Sequence, residues 1–223
     1  MVDLGQLPAA EMAAQLARPT GDIGVAVGDY MTNLNSRLIG AAYALLSPPI
    51  DGQLLEIGFG NGKLIPTLLG MAPGLTYMGV EVSADMVREA KKANSAPENE
   101  GRVKFYLADV DRLPFPDRAF DRAVAVNSIY FWRDQLKSLQ EIRRVLRDDG
   151  SLVLASMTPE TSARSPAARP EFGFQILDSE SLTALHREAG FKRVECDVYE
   201  EEAKRLDGTT FRRAYYMVLA HAN

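Results

Sequence analysis

A short apolar run, Leu54-Leu55-Glu56-Ile57, passes directly into Gly58-Phe59-Gly60-Asn61-Gly62, with glycine at every second position. A strand does not continue well through such a segment, because glycine offers no side chain to pack and loses the most backbone entropy when fixed. The backbone can turn sharply instead, since without a Cβ each glycine reaches positive φ easily. From about Asn61 the pattern predicts a helix, which makes the whole segment a strand, a tight turn and a helix. Such a unit belongs in a parallel sheet covered by helices. The helix start adds unpaired N–H groups and positive dipole, suited to a carboxylate or phosphate.

The rest of the chain keeps this alternation. Gln53–Ile57, Thr76–Glu81, Val103–Leu107, Arg122–Val126 and Ser151–Met157 read as strands. Ser83–Asn94, with Ser83 as its cap, and Gln135–Arg147, stopped by Asp148-Asp149-Gly150, read as helices between them. Helix Glu180–Ala189 ends at Gly190 and leads into strand Lys192–Val198. A charged loop, Glu200–Arg213, then precedes a last strand, Ala214–His221. Two strands joined without a helix predict an antiparallel final pair.

At the front, residues 1–29 are small-residue-rich and poorly periodic, which predicts a loosely held arm. Tyr30–Leu46 carries apolar residues at helical spacing and is stopped by Ser47-Pro48-Pro49 and Asp51-Gly52. The reading is a doubly wound α/β domain over residues 47–223, with an arm and cap helix over 1–46, together forming one compact unit.

Composition removes several classes of function. The single cysteine, Cys196, leaves no disulfide framework or iron–sulfur cluster, and two histidines, His186 and His221, leave no His-rich metal centre. Against 25 Lys and Arg stand 30 Asp and Glu, a balance of −5 that disfavours nucleic acid or anionic membrane as a partner. The N-terminus carries Asp3 and Glu11 in place of a long apolar core, and no window suits a membrane helix. The expected setting is cytoplasmic, as a monomer or homodimer.

The glycine spacing separates two cofactors. A dinucleotide turn reads G-x-G-x-x-G, whereas here the third glycine comes one residue early and Lys63 follows it. The pattern E-x-G-x-G-x-G, from Glu56 to Gly62, resembles motif I of class I S-adenosylmethionine-dependent methyltransferases. That resemblance implies that Glu56 orders the turn and meets the amino group of the methionine moiety. It also implies that Gly58, Phe59, Gly60 and Gly62 pack against the cofactor. Glu81, at the end of the second strand and followed by Val82, then matches the acid that accepts from both ribose hydroxyls. A helix-start acid facing the dipole of the helix opened by Ser83 is the other reading of Glu81. Asp109 and Val110 match the pair that meets the adenine amino group and a ring nitrogen, although an Asp there also suits a plain turn.

The likeness extends over roughly residues 50–157, through Phe120-Asp121, Val126-Asn127, Tyr130-Phe131-Trp132 and Glu141–Leu146. It is similar to the branch that includes ubiquinone/menaquinone-biosynthesis-type and other small-molecule methyltransferases. The fold so implied is a seven-stranded sheet of order 3-2-1-4-5-7-6, with its last strand antiparallel and helices on both faces. Asp148-Asp149-Gly150 stands where Pro-Gly-Gly is common.

Methyl transfer from a sulfonium is an in-line displacement, so the protein must align the partners and exclude water. No base is obligatory unless the acceptor arrives protonated. None is assigned: His186 reads as a surface residue, His221 sits near the C-terminus, and Cys196 reads as core. Asn127 reads as a cofactor neighbour, and Tyr130 and Trp132 as walls of the substrate pocket or as ordinary core. Tyr30, with the Pro-rich segment Thr158–Phe174, is expected to cover the site. The function so implied is methylation of a small-molecule acceptor, leaving S-adenosyl-L-homocysteine, with no metal. Alternatives are a protein or nucleic-acid methyltransferase, a nicotinamide oxidoreductase, or a non-catalytic partner that binds the same cofactor.

Overall fold

In the computed structural model, which describes residues 3–205 and 208–223, strand β1 (Gln53–Ile57) is central. It pairs in parallel with β2 (Thr76–Glu81) on one side and β4 (Phe120–Val126) on the other. Beyond β2 lies β3 (Val103–Leu107), and beyond β4 lies β5 (Leu146–Met157), both parallel. Two long strands, β6 (Arg193–Lys204) and β7 (Thr210–His221), complete the sheet in the order β3-β2-β1-β4-β5-β7-β6. β7 runs antiparallel to both of its neighbours. Burial follows position in the sheet. Leu54, Leu55, Val124 and Leu152–Leu154 on the central strands are sealed, whereas edge strands β3 and β6 alternate.

Helices occupy both faces. α2 (Gly21–Leu46) and α3 (Ile65–Met71) share one core with Leu54, Tyr77, Val124 and Val153. α5 (Gln135–Val145) and α7 (Ser179–Glu188) share the other with Leu55, Ala123, Leu152 and Leu154. α4 (Ala84–Ala93) packs on β2, β3 and α2. The helix starts are set locally: Ser83 accepts from Met86 N at 3.1 Å, Asp134 from Lys137 N at 3.0 Å and Asp178 from Ser181 N at 2.7 Å. Among the described residues, no helix is long and apolar enough to cross a membrane, and no three His, Cys, Asp or Glu side chains gather to hold a metal.

Several expectations are corrected. The arm expected over 1–29 holds α1 (Ala9–Ala17) and the first third of α2, which starts at Gly21 and not at Tyr30. The periodicity is weak there because small residues serve close approach. A Cβ on Gly28 would stand 2.8 Å from Met86 Sδ, and one on Gly24 would stand 2.6 Å from the Pro19 carbonyl carbon. Further along, Leu38, Ala42, Tyr43 and Leu46 enter the sheet core, each large apolar side chain contributing about 1.5–3 kcal/mol by burial. The charged loop expected over 200–213 is mostly a hairpin, in which Glu201 pairs with Arg213 and Glu202 with Arg212. Opposite charges across the two strands make the segment look like a loop in sequence and a ladder in space. Residues 1–2 of the expected arm and 206–207 of the expected loop lie outside the described residues.

The helix expected from Asn61 begins only at Ile65, and Asp148-Asp149-Gly150 lies inside β5 instead of ending a helix. His186 is fully buried, not on the surface: its Nδ1–H donates to Leu182 O at 2.7 Å and its ring lies 5.9 Å from Phe191. Position 186 falls four residues after Leu182, on the face of α7 that meets the core. Cys196, on edge strand β6, is half-buried and packs against that same core from its margin.

Candidate functional site

One cavity of about 940 Å³ opens where the sheet changes direction, between β1 and β4. Its floor is made by the ends of the parallel strands, at Ile57, Glu81, Val126 and Met157. This is where open α/β sheets bind ligands, because the crossovers on the two sides diverge there and leave a crevice. Its size lies in the usual range for a small-molecule site.

The glycine turn forms one end. Gly58, Gly60 and Gly62 have φ of 73°, 60° and 68°, the left-handed region that L side chains rarely adopt. Their surroundings differ. A Cβ on Gly60 would meet nothing within 4 Å, so that glycine faces open cavity. A Cβ on Gly58 would stand 3.1 Å from Ser128 Cβ, and one on Gly62 would stand 2.7 Å from Ala90 Cβ. Gly62 does not line the cavity; it lets α4 come close, and its carbonyl accepts from Asn94 Nδ2 at 3.0 Å. Phe59 lines the cavity and packs against Phe105, with ring centres 5.0 Å apart and planes tilted by 54°. Asn61 ties the turn to α2, donating to Asp29 at 2.8 Å and accepting from Thr32 at 2.8 Å.

The two acids near the turn have different surroundings. Glu56 does not line the cavity. Its carboxylate lies behind the turn and accepts from Tyr43 at 2.9 Å and from Tyr77 at 2.8 Å. Burial pushes its pKa up to about 7, against the opposing effect of the two phenols. Glu81 lines the cavity and accepts from Gly60 N at 3.2 Å and Ser83 N at 3.0 Å. Burial raises its pKa and these backbone donors hold it back. A carboxylate has about four lone-pair positions, so Glu81 keeps acceptor capacity toward the cavity while bracing the turn. Glu81 thus braces the turn and the start of α4 while facing the cavity.

Glu81→Ala separates these two roles. We expect a ten- to a hundredfold loss of S-adenosylmethionine affinity, since charge-assisted hydrogen bonds of about 1.5–3 kcal/mol each are only partly replaced by water. A lowered melting temperature with affinity within twofold of the parent would leave Glu81 as a brace alone.

Asp109 and Val110 follow β3 at the same end, Asp109 exposed and Val110 buried, both on the wall with Val82. Asn127 adopts φ 53° just past β4, a conformation asparagine tolerates better than most residues. Its Oδ1 and the Ser128 hydroxyl are buried without a protein partner among the described residues, and both residues line the cavity. Buried polar atoms of this kind are normally satisfied, so they point to a ligand that supplies the missing hydrogen bonds.

Tyr130, Trp132 and Tyr30 also line the cavity. Tyr130 stacks on Phe174, with ring centres 5.1 Å apart and planes at 22°. The segment expected as a cover carries α6 (Pro159–Ala163) and a short turn, Pro170–Phe172, with Thr161, Pro166, Ala168 and Phe174 on the wall. Sequence reasoning missed Asn35, Arg164, Arg205, Phe211, Arg213 and Tyr215. They come from α2, the 158–174 segment and the β6–β7 hairpin, and no local spacing signals that these segments converge. Arg213 is buried, paired with Glu201 at 2.5 Å, and donates to Asn35 at 3.0 Å and to the Leu34 carbonyl, which joins the hairpin to α2.

A family model described as a methyltransferase domain matches residues 55–154. The chain is 30% identical over 181 residues to O-methyltransferase resE of Aspergillus sclerotiorum, a match covering 74% of this chain and 68% of that protein. It is 28% identical to O-methyltransferase cnsE of Penicillium expansum, over 82% of this chain and 68% of the relative. Among solved structures, a chain from the complex of the Haloferax volcanii Trm112 methyltransferase activator with a methyltransferase superposes with a TM-score of 0.71 at 17% identity. That match covers 90% of this chain and 95% of the other. Fold, glycine turn and these relatives together define a class I methyltransferase; the chain belongs to that family and is an S-adenosylmethionine-dependent enzyme.

Proposed function

We propose that the enzyme methylates an oxygen nucleophile of a small molecule bound in the cavity. The observation that carries this reading is the cavity itself. The glycine turn and Glu81 line it together with the aromatic side chains Tyr30, Tyr130, Trp132 and Tyr215, and residues of α1, α2 and the 158–174 segment complete the wall. A cavity of about 940 Å³ suits a small molecule. The relatives named as O-methyltransferases support oxygen as the acceptor atom.

The residues present suit the cofactor, because Gly60 leaves open space and the buried Oδ1 of Asn127 lacks a protein partner. In this reading Gly58, Phe59, Gly60, Glu81, Val82, Asp109, Val110 and Asn127 hold it. Glu56 and Gly62 support the turn from behind. When bound, S-adenosylmethionine supplies a methyl group that is already activated. The chain aligns the acceptor oxygen with that methyl: Tyr30, Tyr130 and Trp132 confine the acceptor, and burial holds the Tyr130 phenol protonated by raising its pKa. The acceptor oxygen would bond to that methyl as the S–CH₃ bond breaks, the electron pair staying on sulfur and the acceptor's proton passing to solvent. No side chain is assigned as base.

S-adenosylmethionine and S-adenosylhomocysteine should each bind with micromolar affinity, on the order of −8 kcal/mol by calorimetry. Labelled methyl should then appear in a phenol or enol pool and not in amine pools. Absence of binding heat from the folded protein overturns the cofactor assignment, and label confined to amines overturns the oxygen assignment.

A further inference from the structure

The cavity wall is unevenly charged. Its carboxylates among the described residues, Glu81 and Asp109, both stand at the glycine-turn end. Five arginines line it: Arg18, Arg133, Arg164, Arg205 and Arg213. Three have an acid beside them. Arg18 lies in the field of Glu81, Arg133 reaches Asp111 at 3.8 Å, and Arg213 is held by buried Glu201. Arg164 and Arg205 pair with no carboxylate among the described residues. Arg164 Nη1 donates to the Arg212 carbonyl at 3.0 Å, which fixes its guanidinium at the start of the β6–β7 hairpin side of the wall. Arg205 lies over the Phe211 ring at 4.5 Å, on the same hairpin.

Both guanidiniums therefore belong to one region, remote in the fold from the strand ends that carry Glu81 and Asp109. They are pre-positioned, one by a backbone carbonyl and one by an aromatic face, and each keeps further N–H donors. A guanidinium fork suits a planar oxyanion, and it stays charged at any working pH. Phe211, Tyr215, Tyr130 and Phe174 line the same cavity, Tyr130 stacked on Phe174, and such rings suit a flat apolar body.

Resting on the methyltransferase reading above, we infer that the acceptor is a planar, largely apolar hydroxy compound carrying a carboxylate, and that Arg164 and Arg205 anchor this carboxylate away from the oxygen that is methylated. Arg213, fully engaged by Glu201, Asn35 and the Leu34 carbonyl, positions the hairpin that carries the anchor. The carboxylate takes no part in bond making. It fixes the register of the acceptor along the cavity, as a preorganised charge contact does for orientation.

The test compares a hydroxynaphthoate with its uncharged carboxamide on protein saturated with S-adenosylhomocysteine. Trp132, the only tryptophan of the chain, lines the cavity, so its fluorescence reports occupancy. The acid should bind at least about tenfold more tightly than the amide, because charge-assisted hydrogen bonds exceed neutral ones in strength. That preference should shrink as salt rises and persist from pH 6 to 9, since guanidinium does not titrate there. In Arg164→Gln with Arg205→Gln it should vanish, while S-adenosylhomocysteine affinity stays at the parent's value and certifies the fold. Equal affinities in the parent, no quenching by either compound, or a preference that survives in the double variant each overturn the inference. Should the double variant not fold, the salt dependence in the parent decides: a preference insensitive to salt overturns it. Loss of S-adenosylhomocysteine binding in the parent would instead strike the methyltransferase reading, so the two failures are distinct.

Discussion

Replacing Gly60 with valine is expected to abolish S-adenosylmethionine binding, by at least about a hundredfold, while the chain still folds. Gly60 has φ 60° and a Cβ there would meet no atom within 4 Å. The branched side chain therefore meets no core atom and projects its methyl groups into the cavity at the turn. It also disfavours the left-handed conformation by about 1–2 kcal/mol. If the backbone relaxes to negative φ, the Gly60 N–H leaves Glu81, and the acid loses one of the donors that orient it. Both routes act on the ligand more than on the fold. Gly62→Val should do the opposite, since its Cβ would stand 2.7 Å from Ala90 Cβ at the contact between the turn and α4. It should lower the melting temperature with less effect on affinity in the protein that remains folded. Calorimetry and melting curves on both variants check the contrast. Retained micromolar affinity in Gly60→Val would make the turn a packing device.

The second large effect concerns pH. Burial raises Glu56 from its ordinary value of 4.5 to about 7, and burial lowers His186 from 6.5 to about 4. The two act on stability with opposite sign in overlapping windows. Between pH 4.5 and 7 folded Glu56 holds a proton that the unfolded chain has released, so stability falls as pH rises. Between pH 4 and 6.5 the unfolded chain holds a proton on His186 that the folded protein excludes, so stability climbs with pH. At about 1.4 kcal/mol per pH unit, each contributes on the order of 3 kcal/mol across its window. In the parent they largely cancel between pH 4.5 and 6.5. Glu56→Gln should unmask a stability that climbs with pH over this range, and His186→Leu one that falls. Denaturant titrations at pH 4.5, 5.5 and 6.5 give the slopes. Parallel profiles for parent and both variants would show that neither group changes its protonation affinity on folding.

The glycine turn, the acids that follow it and the alternation of strand and helix are local features, and they were legible for that reason. Gly58, Gly60 and Gly62 share a backbone conformation that only local residue type decides. The strand cores around Leu54, Val124 and Leu152–Leu154 are apolar without interruption because they are covered on both faces. Glu81 could be located because it ends a strand adjacent to the turn.

Tertiary structure alone decided the rest. Glu56 precedes the first glycine by two residues, yet its carboxylate goes to Tyr43 and Tyr77, one of them on the N-terminal cap helix. Three glycines look alike in sequence, but only in space does Gly60 face the cavity and Gly62 face Ala90. His186 reads as polar among Arg187 and Glu188, and it is the packing of α7 against Phe191 that buries it. The 1–29 segment gains its helices from close approach at Gly24 and Gly28, which carry no periodic signal. The cavity wall joins Tyr30, Arg164 and Arg213 from segments far apart in the chain, with Arg213 tied to Glu201 and Asn35. Residue type and short spacing determine which backbone a turn can adopt and which faces must be buried. Which side chains then meet across the cavity depends on how the covered sheet closes on itself, a long-range outcome of packing that no short window contains.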